Sequence, residues 1–192
     1  MRRARLAATA IAIAAIGLVG PQSALAATPT TPTSTEDQTY VLTRVVSSAG
    51  PTLAVAPAAM QAKALSSGAT ASQAALIASA NGCWSGSYWV QGYNFLGWVL
   101  FRYNESHDWC GSNGYISYTS VYTWPSNLFA GVSYAGDSKN SVYGVGWNVW
   151  KEHLSGHFTA IATPWITVYN YYPWMEFYVG GGGQTYYEHY GA

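Results

Sequence analysis

Six carboxylates, four histidines and two cysteines carry most of the reactive chemistry of this chain. The carboxylates of the C-terminal two-thirds are Glu105, Asp108, Asp137, Glu152, Glu176 and Glu188. Any two set about 5 to 10 Å apart across a cleft could hydrolyse a glycosidic bond. Taken singly, each reads as solubilising surface charge. His153 and His157 have the i, i+4 spacing used by zinc-binding helices, but Gly156 lies between them, the flanks read as strands, and Glu152 precedes the pair. A third ligand would have to come from His107, His189 or a carboxylate, so no metal and no cofactor is expected. No G-x-S-x-G turn is present, and His107 and Asp108 are neighbours that a strand points to opposite faces, so no catalytic residue is assigned. Cys83 and Cys110 are expected to form a structural disulfide, which removes them as nucleophiles.

The best candidate surface is a C-terminal hairpin. In Trp174-Met175-Glu176-Phe177-Tyr178-Val179 the set Met175, Phe177 and Val179 reads as core, leaving Trp174, Glu176 and Tyr178 outward. If Gly180 to Gly183 form the loop and Val179 pairs with Gln184, then Trp174 faces His189, Glu176 faces Tyr187 and Tyr178 faces Thr185. The expected binding face is therefore Trp174, Glu176, Tyr178, Tyr187 and His189. An aromatic floor with a carboxylate and an imidazole can stack on sugar rings and hydrogen-bond their hydroxyls.

These residues sit in a body with period-two patterning and turn signals about every ten residues. All nine Trp, all five Phe and fifteen of the sixteen Tyr lie at or after position 83, so the core is there. Residues 83–192 are expected to be all-β: a single compact antiparallel sandwich or barrel stapled by one disulfide. Residues 95–103 read as a central strand covered on both sides. Residues 114–124 read as a half-solvated strand, with Ile116, Tyr118, Tyr122 and Trp124 on one face. Asp137 to Asn140 read as a polar turn before a strand over 141–150 that carries Tyr143, Val145, Trp147 and Val149 on one face.

Ahead of this body, residues 27–82 are expected to be a low-complexity linker or a pro-segment, Ala/Thr/Pro-rich and poorly structured, with a short strand at Tyr40 to Val46 and a weak helix across Ala58 to Ala80. Residues 1–26 read as a cleavable secretory signal. Arg2, Arg3 and Arg5 precede the apolar run Leu6 to Val19, and Ala24-Leu25-Ala26 is an A-x-A site cut between Ala26 and Ala27. That run is 14 residues, short of the roughly 20 a spanning helix needs. After cleavage, five Lys and Arg face eight carboxylates, a formal charge of −3, with no basic stripe for nucleic acid or anionic lipid. The mature protein is expected outside the cell, not integral to the membrane.

The order of Cys83-Trp84, Gly97-Trp98, Trp109-Cys110, His157-Phe158 and Tyr172-Pro173-Trp174 before a glycine run resembles a group of small secreted proteins of high-GC Gram-positive bacteria. The resemblance covers about residues 83 to 183. It implies export and an all-β body, and no functional residue. Three functions stay open: a non-catalytic module binding extracellular glycan or cell-envelope material through exposed aromatics, a small glycoside-type hydrolase using paired carboxylates, or a protein-interaction module such as an inhibitor, toxin or surface component.

Overall fold

The computed structural model describes residues 38–162 and 167–192, and within 186–188 the backbone alone. The expected signal and its cleavage site lie outside the described residues. Among the described residues, ten strands form two antiparallel sheets: β1 (Leu42–Ala49), β2 (Leu53–Val55), β3 (Gly82–Asn94), β4 (Val99–Ser112) and β5 (Tyr115–Ser126) in the first, and β6 (Val132–Tyr143), β7 (Val149–Ala162), β8 (Thr167–Tyr171), β9 (Trp174–Gly180) and β10 (Thr185–Gly191) in the second. The first sheet runs β1-β3-β4-β5 with β2 also on β3, and the second runs β10-β9-β7-β6 with β8 also on β7.

The sheets pack face to face because their alternate side chains are large and apolar. Phe101 and Tyr103 of β4 meet Phe158 of β7, with the Phe101 and Phe158 rings stacked at 4.8 Å. Trp109 and Ile116 meet Trp150, Phe177 and Val179 toward the other end. The fold is therefore the expected all-β sandwich.

The long β3–β4 hairpin sets the frame. Its tip is capped by Asn94, whose Oδ1 accepts the N–H groups of Leu96 and Trp98. Cys83 and Cys110 sit directly opposite each other near its open end and are bonded. Such a bridge belongs to an oxidising environment. The next turn is Asn113-Gly114, both with positive φ, the backbone that a two-residue hairpin loop requires.

Several local expectations are corrected. Phe95, Leu96 and Trp98 form the exposed hairpin tip, so the central strand begins at Val99. Asp137 to Asn140 lie inside β6, where bulges at Tyr134/Gly136 and Asp137/Lys139 absorb the polar residues while pairing with β7 continues. The turn comes instead at residues 144–148, where Gly144 and Gly146 adopt positive φ and Val145 and Trp147 are exposed. In β5 a shift between Cys110 and Gly111 leaves Ser117 extra, which turns Ile116 into the core and sends Tyr118 to the opposite face.

The segment expected as a linker or pro-segment is, from Leu42 onward, part of the body. β1 and β2 pair with β3, Leu42 and Val45 pack on the main core, and the Tyr171 hydroxyl donates to the Tyr40 carbonyl. The Ala-rich stretch makes two helices, α1 (Pro57–Ser66) and α2 (Ala71–Ala78), separated at Gly68. Thr70 and Gln73 form a capping box at the start of α2. Met60, Ala64 and Ile77 then bury the disulfide and Tyr118 against the outside of the first sheet. Propensity alone leaves such helices marginal, and this packing stabilises them. A chain beginning at Gly82 is expected to lose cooperative unfolding, because the β3 edge, Met60's site and Ile77's site all open to water. A thermal melt at the full-length midpoint would show that residues 38–81 are dispensable.

Candidate functional site

The outside of the first sheet carries an ordered lattice. Cross-strand register makes one row of Trp89, Asn104 and Trp124, the next of Ser87, Ser106 and Tyr122, and a third of Ser85, Asp108 and Ser120. Tyr122 is 66% exposed and stacks on Trp124, with ring centroids 5.4 Å apart and planes at 23°. Asn104 anchors the Trp124 strand, donating from Nδ2 to the Trp124 carbonyl and to Ser126 Oγ. Arg102 lies 4.2 Å over the Trp89 ring and donates from Nε to Gln91. The guanidinium thus covers the Trp89 ring, while Asn104 fixes the backbone that carries Trp124.

Helix α1 turns this face into a groove. Lys63 reaches across to Asp108, with Nζ 2.7 Å from Oδ2. A space of about 340 Å³ opens between helix and sheet, lined by Lys63, Ser67, Ser106, Asp108, Ser120 and Tyr122. Its wall is hydroxyl-rich, its ion pair is neutral overall, and Tyr122, backed by Trp124, stands at its rim.

The hairpin face expected from the sequence lies on the outside of the second sheet, and its register differs. Thr185 pairs with Val179, a bulge follows, and Tyr187 then pairs with Tyr178, His189 with Glu176 and Gly191 with Trp174. The extra residue at the bulge corrects the expected partners of Trp174, Glu176 and Tyr178. The missing neighbours come from β7. His153 pairs with Glu176 and Lys151 with Tyr178. Glu176 takes Lys151 at 3.0 Å, His153 Nδ1 at 3.1 Å and the Tyr178 hydroxyl at 3.0 Å, and the His153 ring stacks on Trp174 at 12°. Partial burial pushes the Glu176 carboxyl up, but the hydrogen bonds from Lys151, His153 and Tyr178 outweigh it and bring it down to about 2. The carboxylate is thus occupied by its own neighbours. His157 turns to Asn170 and stacks on Tyr172. Four residues along a strand span about 13 Å, so His153 and His157 do not converge.

The carboxylate most unlike a surface charge is inside. Glu105 and Glu152 are fully buried between the sheets, with His107 Nδ1 2.7 Å from Glu105 Oε1. Burial holds Glu105 well above the glutamate range, with the Asp108 charge adding to it. Burial does the same to Glu152, with Glu105 adding to it. The Phe177 and Trp109 rings pack on His107 with centroids at 4.4 and 5.1 Å. No sugar can enter between two carboxyls with no exposed surface, so this pair does not have the geometry of a glycosidase cleft. Asp137 is also committed, accepting from the hydroxyls of Tyr103, Thr123 and Tyr134.

Comparison of the chain with models of protein families, with curated proteins and with solved structures finds no match. The chemistry of the molecule must speak for its function.

Sequence reasoning missed the groove because it set Tyr118, Tyr122 and Trp124 on one face with Ile116, and the bulge at Ser117 separates them. The signal that survives is the period-two run Tyr118-Ser120-Tyr122-Trp124.

A depressed carboxyl contributes stability above its ordinary pKa and loses it as pH falls through the folded value. Glu176 should therefore give the protein an acid-side loss of stability between about pH 4.5 and about pH 2. Glu176→Gln is expected to cost about 1 kcal/mol at neutral pH and to flatten that part of the curve. An unchanged acid limb in denaturant titrations at several pH values would contradict the network.

Proposed function

We propose that this chain is an exported, non-catalytic β-sandwich module that binds neutral extracellular glycan or cell-envelope polysaccharide in the groove beneath α1. The observation that carries the reading is the exposed Tyr122 ring, stacked on the half-buried Trp124, at the rim of a hydroxyl-lined groove. Aromatic rings offer an apolar face to the C–H surface of a pyranose, and Ser106, Ser120, Asp108 and Lys63 offer donors and acceptors to its hydroxyls. Arg102 covers Trp89, Asn104 ties down the Trp124 main chain and Lys63 pairs with Asp108 before any ligand arrives, which lowers the ordering left for binding. The mature charge of −3 without a basic stripe favours an uncharged partner over a phosphate or an acidic polymer.

The outer face of the hairpin, where Trp174, Glu176 and Tyr178 lie, is the second place where such a ligand could lie. The parallel His153–Trp174 stack favours it, and the satisfied Glu176 counts against it.

Retention on insoluble polysaccharides and on purified cell walls tests the proposal. Tyr122→Ala is expected to weaken retention roughly tenfold or more while the melting temperature holds, because Tyr122 is exposed. Trp174→Ala should retain binding. If Trp174→Ala releases the protein and Tyr122→Ala does not, the hairpin face is the site. Wild-type protein that is retained on none of these materials removes the glycan reading.

A further inference from the structure

We infer that Glu105, His107 and Glu152 form a site for one divalent transition-metal cation, of the Zn²⁺ class, held between the two sheets. Each residue offers one ligand atom, and these atoms all lie within 4.8 Å of one another. Zinc bonds of about 2.0 to 2.2 Å to carboxylate oxygen and imidazole nitrogen set tetrahedral ligands roughly 3.3 Å apart, so small side-chain rotations close the set on an ion.

Among the described residues, Glu105 Oε2 and both oxygens of Glu152 are buried and make no hydrogen bond. An interior carboxylate is ordinarily paired or bound to a metal, because removing its water is costly and one oxygen left alone already forfeits hydrogen bonds. Three such atoms in one place, beside an imidazole, are what a common partner would satisfy. A divalent cation supplies it and brings the two carboxylates to neutrality within a wall of Trp109, Trp150 and Phe177.

The donor set selects the ion. Calcium takes six to eight oxygens, and a rigid pair of strands offering two carboxylates and one nitrogen cannot provide them. Three protein ligands with one imidazole suit a four-coordinate transition metal whose last position is filled by water. A recess of about 20 Å³ reaches His107 from the surface, lined by Gly50, Thr52, Gly86, Ser87 and Thr185. That is room for one water at the Nε2 edge of His107, on the approach to the site from the surface. Gly86 keeps it open: a Cβ there would stand 2.4 Å from His107 Nε2.

The test is to unfold the disulfide-intact full-length chain, refold it with ZnCl₂ or with chelator, remove free metal and measure bound zinc by elemental analysis alongside thermal unfolding. One zinc per chain is expected after free metal is removed, and, in a separate melt with free ZnCl₂ held at a hundred times the dissociation constant, a melting temperature about 5 to 10 °C above the chelated form. Glu152→Gln keeps size and shape but removes the charge, and should fold by near-ultraviolet circular dichroism yet hold less than a tenth of an equivalent. His107→Gln, at the recess, should do the same, and carries the test if Glu152→Gln does not fold. Wild-type protein that holds no zinc, or variants that still hold one equivalent, overturn the assignment.

Discussion

Strand β4 is paired along its length by β3 on one side and β5 on the other, and its pleat decides what both surfaces of the first sheet present. Tyr103, Glu105, His107 and Trp109 point into the sandwich, while Arg102, Asn104, Ser106, Asp108 and Cys110 point out. A slip of one residue would exchange the two sets, placing Arg102 and Asp108 in the core and leaving His107 on the surface. The Cys83–Cys110 bond fixes one end of that register, and the stack of Phe101 on Phe158 fixes the other. With the register held, buried carboxylates that would otherwise favour a slipped or loosened strand are retained next to each other.

The same alternation recurs in β7, which sends Glu152 inward to meet Glu105 and sends Lys151 and His153 outward to meet Glu176. The interior cluster and the outer hairpin face are thus built on consecutive residues of one strand. On the opposite side of the molecule, Ser106 and Asp108 alternate with Glu105 and His107 in the same manner. The helical layer completes that outer surface, for Lys63 of α1 forms its ion pair and Ser67 lines its wall.

Much of this was legible in residue order. Alternating aromatics and frequent turn signals identify an antiparallel sandwich, and an isolated pair of cysteines identifies its bridge. What escaped were features that depend on a single extra residue or on distance along the chain. Bulges at Ser117, in β6 and early in β10 each change which side chains face together, and no local preference announces them. The Ala-rich segment looks weak because helix propensity is a small effect, and its order comes from Met60 and Ile77 lying on the disulfide. Glu105 and Glu152 are far apart in sequence, and only the packing of β4 on β7 makes neighbours of them. Surface charge is the ordinary reading for each alone, and burial reverses it for both.

The claim that function resides on the outer face of the first sheet is tested most directly by mapping where a soluble oligosaccharide touches the folded protein. In two-dimensional NMR titrations, the Trp89 and Trp124 indoles and the Ser106 and Ser120 amides should shift together and saturably, while Trp174 and His153 stay in place. Shifts centred on Trp174 and His153, or none at any concentration of cell-wall-derived oligosaccharide, would contradict the account.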